Sequence, residues 1–232
     1  KSEEYIAALP DTNVWSTLDS TYISLDTNYL RHPAYRNYPV VGISQQQAIE
    51  FGKWREERVM EYLLIANKFI DRNKSNNIDS VFSVEKLLSG NYPVQKSIDE
   101  LQYRVRFRLP SEAEWQRAFQ QSETDFVILT NKYQNRKKKI TQLAQARTNI
   151  DQTIGRFSKI PPLNAMTKGA LDKKNYFIYL RGNVSEWLIE QNTYIGTNFM
   201  TTLDQDQPTP ESLEATSSVF VGARFIAYWE AI

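Results

Sequence analysis

The chain has 232 residues, 41% of them hydrophobic and 24% charged, and a formal net charge of +1. That length holds one large domain or two small ones, the composition is ordinary for a globular protein, and so small a net charge excludes a global electrostatic draw to nucleic acid or membrane. There is no cysteine, which removes disulfides, thiolate metal sites and cysteine nucleophiles in one step.

Residues 1 to about 37 are rich in Tyr, Asp, Asn, Ser and Thr and keep no sustained helical period. Leu9 to Trp15 reads as a turn into a short strand, and His32-Pro33-Ala34-Tyr35 as an extended loop. The longest helix is expected from Ser44 to about Asn73. Ser44 and Gln47 have capping-box spacing, and Ala48, Phe51, Val59, Tyr62, Leu63 and Ala66 recur at helical intervals. Gly52 interrupts that helix at a cost of up to ~1 kcal/mol relative to Ala, which marks a close packing contact. Arg55, Glu56, Glu57 and Arg58 read as a solvated face. Asn73 to Ser80 and Ser89 to Val94 read as loops.

Tyr103 to Arg108 alternates apolar and basic side chains, the pattern of a half-buried strand. Pro110 follows where its missing N–H does least harm. Ser111 and Glu114 then form a second capping box, so a short helix starts there, with Glu112 and Glu114 placed for its N-terminal charge. The run Arg136-Lys137-Lys138-Lys139 has no aromatic stacking pattern beside it and reads as a solvated helix surface. Asp204 to Ser218, with Pro208 and Pro210, reads as an irregular surface loop. No apolar run approaches the ~18 residues of a membrane span. One domain over residues 1–232 is the simplest parse.

Four stretches in order carry a family resemblance. Arg108-Leu109-Pro110-Ser111-Glu112-Ala113-Glu114-Trp115 is similar to R-L-P-[ST]-E-A-E-W of formylglycine-generating-enzyme-like (sulfatase-modifying-factor) domains. Tyr38 to Ala48 resembles their Y-P-V-V-G-V-S-W-x-Q-A, Gly182 to Trp187 their G-N-V-W-E-W, and Val221 to Arg224 their closing V-G-F-R. Pro10 to Trp15 and His32 to Gly42 further resemble one subgroup, the gliding-motility and type IX secretion lipoproteins. Against that frame, residues 125–159 read as an insertion. The family's opening strands and a signal peptide or lipobox are expected to lie before Lys1, in a longer precursor. Two departures stand out: Tyr176-Phe177-Ile178-Tyr179 replaces the family's G-L-Y-D, and no R-G-G-S-W segment lies between Trp187 and Val221.

The resemblance brings three chemistries to weigh. Formylglycine-generating enzymes oxidise a cysteine with copper held by two cysteines, and this chain offers no soft thiolate for copper(I). The related sulfoxide synthases need an iron held by several histidines, whereas His32 stands alone and reads as a loop residue bonding locally. Apart from the resemblance, Ser-His-Asp hydrolysis would also need His32, and there is no G-x-S-x-G elbow. The third chemistry is structural calcium. By resemblance, Asn183 and Glu186 would hold Ca²⁺ with the Val184 carbonyl, all hard oxygen donors. The reading without metal is a turn held by Asn183, with Trp187 packed in the core.

The expected fold is therefore α+β, the C-type-lectin-like formylglycine-generating-enzyme architecture of short twisted strands, few helices and much irregular chain. The resemblance implies a non-catalytic scaffold lipoprotein on the periplasmic side of the outer membrane, needing no cofactor and holding other secretion or motility proteins. Tyr22, Tyr29, Tyr35 and Tyr38 are the expected contact residues, tyrosine being enriched at interfaces; packing of loops onto the core is the competing reading. The alternative function is a peptide- or glycan-binding module using the former active-site groove.

Overall fold

The computed structural model describes residues 6–71, 82–141, 148–149, 163, 180–201, 208–213 and 217–232. The fold is α+β, and the chain divides into two compact units. The first comprises Lys1–Ala48 and Pro110–Arg224, the second Ile49–Leu109 and Phe225–Ile232.

In the first unit, the expected strand at Trp15 is instead a short helix, α1 (Val14–Leu18), followed by α2 (Ile23–Asn28). The Asp11 carboxylate accepts the Asn13 N–H at 3.0 Å, and the Ser16 and Thr17 hydroxyls donate to the Asn13 carbonyl. These local bonds favour the turn and helix over an extended strand. His32 does bond locally: its Nδ1 accepts the Ala34 N–H at 3.2 Å, capping a 3-10 turn over Pro33–Tyr35 rather than an extended loop.

Helix α3 (Gln45–Ala66) starts in the first unit and continues in the second. Its capping box forms: Ser44 Oγ accepts the Gln47 N–H, and Gln47 Oε1 accepts the Ser44 N–H. The 5-residue helix α4 (Val84–Leu88), in the second unit, is capped by Ser83. Strand β1 (Tyr103–Arg108) is also there, and the Ser111 helix that follows, α5 (Glu112–Lys132), is 21 residues long rather than short. Gln120 to Lys132 continues with helix-competent residues and buries Leu129, so nothing stops the helix at the position where the insertion was expected to begin.

The first unit's strands are β2 (Thr148–Asn149), β3 (Arg181–Gly182), β4 (Ser185–Trp187), β5 (Thr193–Ile195), β6 (Glu211–Ser212) and β7 (Val221–Gly222). Four of them make one sheet in the order β6-β5-β4-β7, with β4 antiparallel to β5 and parallel to β7. The expected loop at 204–218 thus contributes an edge strand, β6, within its described part. Asn73 to Ser80, Tyr176 to Tyr179 and most of residues 142–159 lie outside the described residues.

The second unit pairs β1 with β8 (Ile226–Ala231) in an antiparallel ribbon, Val105 opposite Trp229. Its core holds Met60, Leu64, Ile70, Phe82, Leu87 and Val105. The inward face of α3 differs from the sequence expectation: Phe51 and Tyr62 are 46% and 68% exposed, while Gly52, Met60 and Leu64 are buried. The Gly52 contact is as expected, because a Cβ there would stand 3.2 Å from the Phe225 ring and 3.3 Å from the Phe107 carbonyl oxygen. The charged quartet is not a solvated face. Glu56 accepts the Phe107 N–H at 2.8 Å, Glu57 accepts the Val84 N–H at 2.7 Å, and Arg58 donates to the Phe82 carbonyl at 2.8 Å. Three neighbouring side chains thus tether β1 and the start of α4 to α3, and of the four only Arg55 is exposed.

Candidate functional site

The four stretches that carried the resemblance supply residues to one place in the first unit. Its centre is Glu186 on β4, 5% exposed. Gly182 and Asn183 turn the chain into β4 with φ of 69° and 65°, the left-handed region that Asn tolerates better than other side-chain-bearing residues. The turn is fixed by main-chain bonds: the Gly182 N–H donates to Thr197 Oγ1 at 2.8 Å, and the Asn183 carbonyl accepts the Phe199 N–H at 3.1 Å. Ser185 donates its N–H to the Phe220 carbonyl and its hydroxyl to the Gly196 carbonyl.

Both Glu186 carboxylate oxygens are engaged. Arg224 Nε donates to them at 2.9 and 3.0 Å, Arg224 Nη2 stands 2.8 Å from Oε1, and Trp115 Nε1 donates to Oε2 at 2.8 Å. Burial alone would lower the Arg224 pKa, but the charge and hydrogen bonds of Glu186 outweigh it and raise it, so the guanidinium stays charged. A short charge-assisted pair of this kind is strong and fixed in direction. Trp115, the last residue of the α5 motif, stacks on Phe119 with ring centroids 5.5 Å apart.

Around this centre the other motif residues act as struts. Trp187 is 2% exposed, as the reading without metal expected, and its Nε1 donates to the Ile43 carbonyl at 3.0 Å. Gln45 Nε2 donates to the Leu188 and Glu190 carbonyls, both at 2.6 Å, and Gln45 Oε1 accepts the Asn192 N–H. The Ile189 N–H donates to the Pro110 carbonyl at 2.9 Å. Gln45 stands next to Ser44 of the α3 capping box, so one residue caps the helix and the next clamps the chain after β4.

These residues do not fit a calcium site built on Asn183, Val184 and Glu186. Calcium takes 6–8 oxygens, several of them anionic. The one carboxylate of the trio is saturated by a cation and an indole, and a metal would have to displace Arg224. Among the described residues there is no group of three or more His, Cys, Asp and Glu able to hold a metal. The Val184 side chain packs in the apolar core beside Val41 and Phe199. Nor is Glu186 free to act as a base.

The tyrosine set divides. Tyr22 and Tyr29 are 5% and 4% exposed and belong to the core with Trp15, so they are not a contact surface. Their burial has a reason: Tyr29 packs against Trp15 at 4.7 Å and Tyr35 at 5.6 Å, and its hydroxyl donates to the Pro39 carbonyl at 2.6 Å. Tyr35 and Tyr38 are half-buried in the same ring cluster. The sequence reading missed Arg224 and Trp115 as partners of Glu186; 38 and 71 residues separate them from it, beyond any periodic signal.

The model of the sulfatase-modifying factor enzyme 1-like domain matches residues 4–228. The chain belongs to that family. The match covers residues of both compact units, and the family's C-type-lectin-like fold accords with the small sheets and mixed helices described above. No curated protein and no solved structure matches the chain.

Proposed function

We propose that this member of the family is a non-catalytic scaffold of the gliding-motility or type IX secretion machinery. It would be an outer-membrane lipoprotein on the periplasmic side that works in protein transport by holding partner proteins. Three features support the reading. The family's copper chemistry needs thiolates that a chain without cysteine does not have. Its single histidine is spent on capping a turn. Among the described residues its most buried carboxylate, Glu186, is spent on Arg224 and Trp115.

The observation that carries the subgroup assignment is the way its two signature segments interlock. The Asp11 N–H donates to the Gly42 carbonyl at 2.7 Å. Gly42 has φ of 73°, and a Cβ there would collide with the Asp11 carbonyl, so only glycine fits. Trp15 and Tyr29 then pack ring to ring, and Tyr29 reaches back to Pro39. Segments 10–15 and 32–42, which resemble the lipoproteins more closely than the core motifs do, thus form one packed entry to the first unit.

The test is to purify the tagged full-length protein from detergent-solubilised native membranes and identify what accompanies it by mass spectrometry. Near-stoichiometric recovery of secretion or motility proteins is expected. Recovery of the protein alone would overturn the reading, and screens of peptides and glycans would then take up the binding-module alternative.

A further inference from the structure

The second unit contains a strand with one edge only partly used. The Ile232 N–H donates to the Gln102 carbonyl at 3.1 Å, and β1 pairs with β8 in the register Tyr103 to Ala231 through Arg108 to Ile226. In an antiparallel ladder hydrogen-bonded pairs alternate with non-bonded ones. Arg104, Arg106 and Arg108 therefore turn their main-chain groups toward β8, and Tyr103, Val105 and Phe107 turn theirs away. Phe107 bears out the alternation, since its N–H goes outward to the Glu56 carboxylate. Val105 is 7% exposed, yet no partner for its outward amide or carbonyl is found among the described residues. A main-chain group left unbonded in a buried setting is costly.

Along this edge runs a groove of about 470 Å³, lined by Glu56, Glu57, Val84, Glu85, Leu88 and the strand residues Arg104 to Arg106. That is within the roughly 300–1,000 Å³ usual for binding pockets. Its charges are not balanced. Arg104 and Arg106 are paired with Glu230 and Glu56. Glu57 and Glu85 form no ion pair among the described residues. Burial pushes the Glu57 carboxyl above its ordinary value, and the Val84 N–H and the charges of Arg58 and Arg104 only partly offset this. What remains in the groove is the outward main-chain pair of Val105 and, with three Glu against two Arg in the lining, a surplus of negative charge.

We propose that the outward edge of β1 at Val105 is a docking site for an extended segment of a partner protein, added as a third strand with a Lys or Arg side chain facing Glu57 and Glu85. Strand addition takes its affinity from main-chain bonds and its selectivity from the side-chain positions beside them. The inference deepens the scaffold reading and rests on it for the occupant being a protein.

The probe is the fluorescein-labelled peptide Thr-Lys-Val-Lys-Val-Thr, titrated against the full chain by anisotropy, with Val105 amide exchange followed in parallel. Saturable binding with slowed exchange at Val105 is expected. The counterpart with Glu for Lys should bind at least about tenfold more weakly, and a peptide methylated at alternate backbone nitrogens should not bind. The E57Q/E85Q double variant should lose about threefold to tenfold, from two charge pairs between the added strand and the helices. The amide introduced by Glu57→Gln keeps an oxygen for the Val84 N–H, and an unchanged melting temperature confirms the fold. Equal binding of the methylated or the Glu peptide, or no saturable binding, overturns the proposal. Membrane co-purification separates the two readings. If the double variant recovers the same partners as the wild type, the edge is not the surface and the scaffold stands. If the wild type recovers none, the scaffold reading falls, and the titration still decides the edge.

Discussion

At the residue scale, Glu186 shows what holds the G-N-V-x-E-W motif in place. The carboxylate is 5% exposed and receives three donor atoms from two side chains, Arg224 and Trp115. Removing one member of a buried pair leaves the other charge uncompensated, which costs about 3–5 kcal/mol. Arg224 keeps 26% of its side chain in solvent, so Glu186→Gln should fall at the lower end. We expect E186Q to lose about 3 kcal/mol in urea unfolding. Glu186→Leu combined with Arg224→Met should recover part of the loss, with a coupling energy of about 2 kcal/mol. Additive losses would show that the pair is incidental. None of this was legible from spacing. The resemblance named Glu186 as a metal ligand and Arg224 as a closing signature, and only the fold brings the two together.

At the element scale, local signals were read well and long-range ones were not. Both capping boxes, Ser44 with Gln47 and Ser111 with Glu114, are present because their bonds close within four residues. The Ser111 box has a measurable share of stability: Ser111→Ala should cost about 1 kcal/mol, and a melting temperature unchanged from the wild type would contradict this. By contrast, the inward face of α3 was misread. Its periodicity favoured Phe51 and Tyr62, yet Phe51 packs on Trp54 and Phe225 while still half exposed. Glu56, Glu57 and Arg58 turn inward because β1 and the start of α4 present main-chain groups with no other partner near. A helical wheel cannot see those groups. In Leu9 to Trp15 the turn was read correctly and the strand after it was not, because the Asp11 and Asn13 turn chemistry leads into a helix.

At the scale of the whole molecule, the chain passes between its two compact units three times, after Ala48, after Leu109 and after Arg224. Each passage falls inside a stretch that reads as continuous in sequence: within α3, within the Arg108 to Trp115 motif, and beside the closing Arg224. Composition shifts or linkers could not reveal them, because there are none. The family match over 4–228 treats the same residues as one domain sequence. Across this arrangement, the family motifs serve as framework. Cysteine and clustered histidine are missing from the sequence, and the one buried carboxylate of the G-N-V-x-E-W stretch is neutralised by a guanidinium.

That framework role is tested most directly by calcium. Thermal unfolding of the full chain would be followed in saturating calcium and again in excess chelator. Because a ligand that binds only the native state stabilises it by RT ln(1 + [L]/Kd), a Glu186 held by Arg224 and Trp115 predicts the same melting temperature in both. A rise of several degrees in calcium, abolished by Asn183→Ala, would show that the motif still builds a metal site and would contradict the account.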